Sequence, residues 1–245
     1  MANEKKPLNV ATVEVCRKHG VPFVREMISG GIWDREITYC PKCEAVKIAA
    51  AREEEARKRR ERLFEGIPFH YQGADLNQFD RDLIAVVLDW VKNPKGFLYV
   101  HGDIGVGKTH LACAVKKDFN ARGIRSRLVF SGEMFLSLRK SFNRKTDDYE
   151  AGVVEKYAMD SDCRPVIFDD VGAQKTSEYT TIAWFNIIDP RYRLDCPTMI
   201  TTNLSKSQLV GPVGDRAQSR ICSGLELELT GKDRRVREHW TSKFD

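Results

Sequence analysis

Nowhere does the sequence offer a run approaching the roughly 18 apolar residues of a membrane span, and its polar start, Met-Ala-Asn-Glu-Lys-Lys, is followed by no apolar leader core. Both absences predict a cytoplasmic protein with no membrane partner. A strong charge of either sign is missing as well: 40 basic side chains against 35 acidic ones leave a formal +5, so nucleic-acid binding is permitted but not demanded by net charge. An even cysteine count is also lacking. Of the 7 cysteines, Cys113, Cys163, Cys196 and Cys222 stand singly in apolar or mixed surroundings, which predicts reduced core thiols. What remains is a chain of 245 residues, enough for one full α/β domain and a small appendage.

The stretch His101-Gly-Asp-Ile-Gly-Val-Gly-Lys-Thr109 follows the apolar run Phe97-Leu-Tyr-Val100 and precedes a helix-forming segment. Gly102, Gly107, Lys108 and Thr109 fit the phosphate-loop pattern G-x-x-x-x-G-K-[ST] position by position. Several backbone N–H groups must approach a polyphosphate at once, and glycines at 102, 105 and 107 let the chain turn and come close. The following helix adds its positive end. Asp103, Ile104, Gly105, Val106, Gly107, Lys108, Thr109 and His110 are therefore the candidate ATP-binding residues. Lys108 supplies charge for the β- and γ-phosphates, and the Thr109 hydroxyl is a ligand for Mg²⁺. A chance Gly-Lys-Thr after a Gly-rich turn is the bland alternative.

Pro165-Val-Ile-Phe-Asp169-Asp170 is an apolar strand ending in two carboxylates. Asp169 is placed to hold Mg²⁺ and Asp170 to orient or deprotonate the attacking water; an acidic turn after a strand is the competing explanation. Pro197-Thr-Met-Ile-Thr-Thr202-Asn203 is a third strand, whose amide tip, Asn203, can position that water. With Arg127-Leu-Val-Phe130, four apolar strands separated by helices predict a parallel sheet covered on both faces, and the alternating Leu225-Glu-Leu-Glu-Leu229 predicts an edge strand. A helix is expected from Thr180 to about Ile188.

Cys16-Arg-Lys-His19 and Cys40-Pro-Lys-Cys43 form two x₂-spaced pairs separated by 20 residues. Three thiolates and an imidazole from two tight turns complete the closed tetrahedron of a structural Zn²⁺ site, and the ion would supply folding energy that a short, apolar-poor segment lacks. Gly20, Gly30, Gly31 and Trp33 suggest short turns and strands between them. From 44 to 65 the chain is alanine-rich and dense in both charges, with Glu53, Glu54 and Glu55 four residues before Arg57, Lys58 and Arg59; no apolar stripe accompanies them, which predicts an exposed helical linker. The expected division is thus 1–43, 44–65 and 66–245. Phe69, Tyr71 and Phe79, just upstream of the phosphate loop, are either an adenine floor or plain core.

Met134, Phe135, Leu138 and Phe142 form a helical stripe whose exposed companions Arg139, Lys140, Arg144 and Lys145 can hold single-stranded DNA by charge and stacking. Arg216 and Arg220 lie one helical turn apart. Gly231-Lys-Asp-Arg-Arg235 adds two more arginines. Each pair is an ordinary solvated face or, beside an ATP site, a source of transition-state neutralisation, in trans or within one chain.

Taken together, the phosphate loop, Asp169-Asp170-Val-Gly172, Thr202-Asn203, Gly214-x-Arg216-x-x-Ser-Arg220 and Gly231-x-x-x-Arg235 resemble, in that order, the AAA+ ATPases of the DnaC type. These are bacterial and phage helicase loaders, with IstB-like transposition helpers as cousins; the resemblance covers roughly residues 66 to 240. It implies an α/β AAA+ P-loop domain with a five-stranded, mostly parallel sheet, here without a helical lid because too few residues follow Leu229. It implies Asn203 as sensor 1, Arg220 as an arginine finger acting across an oligomer, and Arg235 as sensor 2. It also implies ATP-dependent loading of a replicative DNA helicase gripped by the N-terminal region, with Ser177 and Tyr179 beside single-stranded DNA. Asp170 stands where the wider AAA+ pattern usually has glutamate, which implies slow hydrolysis stimulated by partner or DNA. A duplex-binding transposition helper and a small-molecule kinase are the competing functions; nothing between Ser131 and Asp162 supplies a kinase's acceptor pocket or lid.

Overall fold

The computed structural model describes residues 12–28, 35–142, 157–158 and 163–233. Gly30, Gly31, Trp33, Arg144, Lys145 and Arg235, singled out above, lie outside the described residues. The chain divides into two compact units, Met1–Glu61 and Arg62–Asp245.

In the first unit, β1 (Thr12–Val15), β2 (Pro22–Ile28) and β3 (Arg35–Tyr39) form an antiparallel meander in that order. Val15 pairs with Pro22, so Cys16 to Val21 make the turn, closed by the Cys16 N–H donating to Val21 O at 2.9 Å. Helix α1 (Pro41–Leu63) starts directly after Cys40. Proline suits a first helical position, where its missing N–H costs nothing. No apolar face directs α1 into a core; Arg57 instead bridges Glu54 and Glu61, at 2.7 and 2.5 Å. Such pairs contribute about 0.2–0.5 kcal/mol each.

The second unit is an α/β fold built on a five-stranded sheet. Single 3₁₀ turns at Phe69–Tyr71 and Leu76–Gln78 lead to α2 (Ala85–Lys92), β4 (Phe97–His101) and α3 (Lys108–Ala121). Then follow β5 (Arg127–Phe130), α4 (Ser131–Phe142), β6 (Val166–Asp169), α5 (Glu178–Arg193) and β7 (Thr198–Thr202). The unit closes with α6 (Lys206–Val213), α7 (Asp215–Ile221) and β8 (Leu225–Glu228). All five strands are parallel, in the order β5-β6-β7-β4-β8. Alternate residues of each strand serve opposite faces. Leu98, Val100, Ile167 and Met199 pack beneath α2 and α3, while Phe97, Tyr99, Phe168 and Ile200 pack with Trp184, Ile187 and Leu138 from α5 and α4. That two-sided burial is why these strands read as unbroken apolar runs. β8 lies at an edge, with Leu227 buried and Leu225 exposed.

Two expectations need correction. The helix expected to stop near Ile188 runs through Pro190 to Arg193. Its last turn is held by Arg191, fully buried, whose guanidinium donates to Thr198 Oγ1, Arg164 O and Pro197 O at 2.8, 2.7 and 2.8 Å. Cys163 and Cys196 are not reduced core thiols but a disulfide, with Cα atoms 5.1 Å apart. They precede β6 and β7, neighbours in which Val166 pairs with Thr198, so parallel pairing brings both entry loops within bridging reach.

Candidate functional site

β4 delivers the chain to the carboxyl edge of the sheet, where ligands of open α/β sheets bind. Gly102 sits at φ 152° with Leu229 O so close that a Cβ would lie 2.1 Å from it, so no other residue fits. Gly107, at φ 109°, turns the chain into α3 from the left-handed region. Lys108, at the start of that helix, is 7% exposed, and its Nζ donates to Gly102 O and Asp103 O at 2.8 and 2.6 Å. In this way the ammonium pins the bend that a triphosphate would occupy.

Beside it, Thr109 Oγ1 donates to Asp169 Oδ2 at 2.9 Å, and Thr201 Oγ1 donates to Asp169 Oδ1 at 2.6 Å. Burial pushes the Asp169 carboxyl above the ordinary carboxylate range, against the opposing hydrogen bonds from Thr201 and Thr109. Asp170 adopts φ 57°, and its backbone N–H donates to Thr201 Oγ1 at 3.0 Å. Asn203 Nδ2 donates to Asp170 Oδ1 at 3.4 Å. Thr201 therefore links both acids, a role that sequence reasoning missed. Its only signal was the position of a hydroxyl residue just before the Thr-Asn tip on a strand next to β6.

These groups line one cavity of about 800 Å³, together with Tyr71, Ile104, His110, Ser131 and Glu133. His110 Nε2 is 2.5 Å from Gln78 Oε1, and its ring lies 6.4 Å from Tyr71. Of the three upstream aromatics, Tyr71 reaches the cavity, Phe79 is buried in the core and Phe69 is 82% exposed. Val106 also turns its side chain into the core. A hydroxyl and a carboxylate already in contact, a buried ammonium and an amide-lined bend fit a magnesium-bound triphosphate.

Other candidates stand elsewhere. Arg220 does not line the cavity: its Nη2 is 2.6 Å from Asp189 Oδ1 on α5. Arg216 lies over Phe185, 5.7 Å from the ring centroid. Arg139 is exposed on α4, the helix that also carries Lys140. Ser177 caps α5, its Oγ accepting from the Thr180 N–H at 3.2 Å, and Tyr179 is partly buried against the core.

In the first unit, the ligand atoms of Cys16, His19, Cys40 and Cys43 all lie within 4.8 Å of one another. Cys16 Sγ is 3.7 Å from Cys43 Sγ, and His19 Nδ1 is 3.3 Å from Cys43 Sγ. With metal–sulfur bonds of about 2.3 Å, a tetrahedron has edges of about 3.8 Å, so three thiols and one imidazole at these separations fit zinc. The thiols influence one another strongly. Cys43 is pushed up to about 11, chiefly by its hydrogen bond with Cys16, whereas backbone N–H groups of Lys18 and His19 bring Cys16 down to about 6 against its burial.

Comparison with known proteins agrees with this geometry. The family model described as IstB-like ATP binding protein matches residues 48–220. The chain is 27% identical over 144 residues to the chromosomal replication initiator protein DnaA of Acholeplasma laidlawii, covering 57% of this chain and 30% of that protein. It is 24% identical over 128 residues to the replicative helicase loader DnaC of Escherichia coli K12, covering 51% of this chain and 50% of that loader. It thus spans half or less of the length of these relatives. The crystal structure of DnaI superposes with a TM-score of 0.56 at 24% identity, over 69% of this chain and 94% of that one, which shows a shared fold. With the family model matching well over half of its length, the chain belongs to the IstB-like ATP binding protein family.

Proposed function

We propose that this chain is an ATP-dependent loader of a replicative DNA helicase. The observation that carries the reading is the convergence of Lys108, Thr109 and Asp169 in one cavity with Asp170 and Asn203 at its rim, in a chain similar to DnaC. ATP binding draws Lys108 off the loop carbonyls onto the β- and γ-phosphates, and Thr109 and Asp169 would hold a divalent ion. Magnesium would supply positive charge against the phosphates. Asp170, steadied by Asn203, orients the attacking water. Its side chain is one methylene shorter than glutamate, so turnover is slow and ATP occupancy acts as a timer. Arg220 of a neighbouring copy completes the site, with Arg235 as a further cation. Cys16, His19, Cys40 and Cys43 hold one zinc ion, and residues 1–43 grip the helicase. Arg139, Lys140, Ser177 and Tyr179 contact single-stranded DNA.

The test is transfer of a purified hexameric helicase onto a protein-coated single-stranded DNA circle, with the full chain and ATP. Strand displacement that depends on this chain, and is lost in Lys108→Ala, is expected. No capture of helicase and no displacement would overturn the loader reading. The family match favours a second reading, an ATP-dependent transposition helper, which would instead bind duplex in preference to single-stranded oligonucleotides in direct competition.

A further inference from the structure

Arg220 is held away from its own chain's cavity by an arrangement more elaborate than a surface ion pair. Besides the contact with Asp189, its Nη1 donates to Arg216 O at 2.9 Å, and the guanidinium lies over two rings, 5.2 Å from the centroid of Phe185 and 5.7 Å from that of Tyr192. Tyr192 is itself packed against Phe97, with centroids 6.3 Å apart, so one wall of this seat is anchored to the sheet. Asp189 is 8% exposed, and its second oxygen accepts from Arg193 Nη2 at 2.7 Å, which prevents the carboxylate from turning away. The Arg220 side chain nevertheless remains 27% exposed. Two of its five N–H donors have acceptors here, and the buried Nε has none.

A free arginine side chain carries much rotamer entropy, which must be given up when it meets a phosphate. Here the carboxylate and the two ring faces remove that freedom beforehand, and the two ring faces stack on a planar cation without consuming its donors. We propose that Asp189 is the positioning residue for Arg220: it fixes the guanidinium on the outer face of α5 and α7, ready for the γ-phosphate of ATP held by a second copy of this chain. The inference rests on the reading of Arg220 as a finger acting in trans.

A mixed-protomer ATPase assay separates the two ideas. A Lys108→Ala chain keeps Arg220 but binds no nucleotide; an Arg220→Ala chain binds nucleotide but lacks the finger. Each is inactive alone, and mixing them restores turnover. Adding Asp189→Asn to the Lys108→Ala chain is expected to lower the restored turnover at least tenfold. Adding it to the Arg220→Ala chain leaves turnover unchanged, which also shows that an Asp189→Asn chain folds and binds ATP. Asp189→Glu in the Lys108→Ala chain recovers part of the loss. Equal turnover with and without Asp189→Asn in the Lys108→Ala chain overturns the positioning role while the finger stands. An equal loss from either side assigns Asp189 to folding and also overturns the proposal. Failure of the two single variants to restore turnover at all removes the trans finger, and the proposal with it.

Discussion

Asp169 is the residue on which stability and chemistry pull in opposite directions. Its carboxyl is buried against Thr109 and Thr201 and held above the ordinary carboxylate range by that burial. A raised pKa in the folded chain means that folding favours the protonated form. The ionised form therefore costs stability at neutral pH, and the cost is lost as pH falls through the folded pKa toward the lower unfolded one. Asp169→Asn is expected to raise Tm by about 2–4 °C at pH 7, the shift that about 1 kcal/mol gives in a domain of this size, while abolishing magnesium-dependent ATP hydrolysis. The Tm difference narrows as the pH is lowered through the folded pKa, and differential scanning fluorimetry over an acid pH series measures it. An unchanged or lower Tm at pH 7 contradicts the assignment. Both acids were legible in sequence because a strand tip and a phosphate loop are local patterns. Thr201 was not, since its importance comes from lying beside β6.

At the scale of elements, the first unit is a three-stranded meander followed by a helix that begins between two candidate cysteine ligands. Cys16 and His19 belong to the β1–β2 turn; Cys40 and Cys43 flank the start of α1. An ion between them would join the β1–β2 turn to the start of α1, where Cys16 and Cys40 are buried together with Cys43 packed against them. One zinc per chain is expected by elemental analysis, falling to less than about a tenth in Cys40→Ser, since a lost ligand leaves the tetrahedron open. Amide exchange over residues 12–28 is expected to accelerate on chelation, with ATP affinity unchanged. The spacing of the four ligands was readable in sequence. The strands between them were anticipated only as short turns and strands, because register emerges from pairing.

For the whole molecule, the sheet's order is secured at the end opposite the nucleotide by Arg191, which ties α5 to the loops entering β6 and β7. Replacing it with methionine leaves Arg164 O and Pro197 O without this donor in the interior. Arg191→Met is expected to cost about 3 kcal/mol or more in urea unfolding, while ATP affinity of the folded fraction holds; a loss under about 0.5 kcal/mol contradicts the anchoring role. The same tertiary setting brought Cys163 to Cys196, carried α5 past Pro190 and seated Arg220 on Asp189. By itself the sequence determined the phosphate loop, the acidic strand tip, the parallel apolar strands and the four candidate zinc ligands. Each of these is a short-range pattern whose backbone conformation or ligand spacing is set within a few residues. Only the tertiary structure decided which strands became neighbours, which hydroxyl joined the two acids and where the arginines rest, because those depend on chain segments brought together by packing across the sheet.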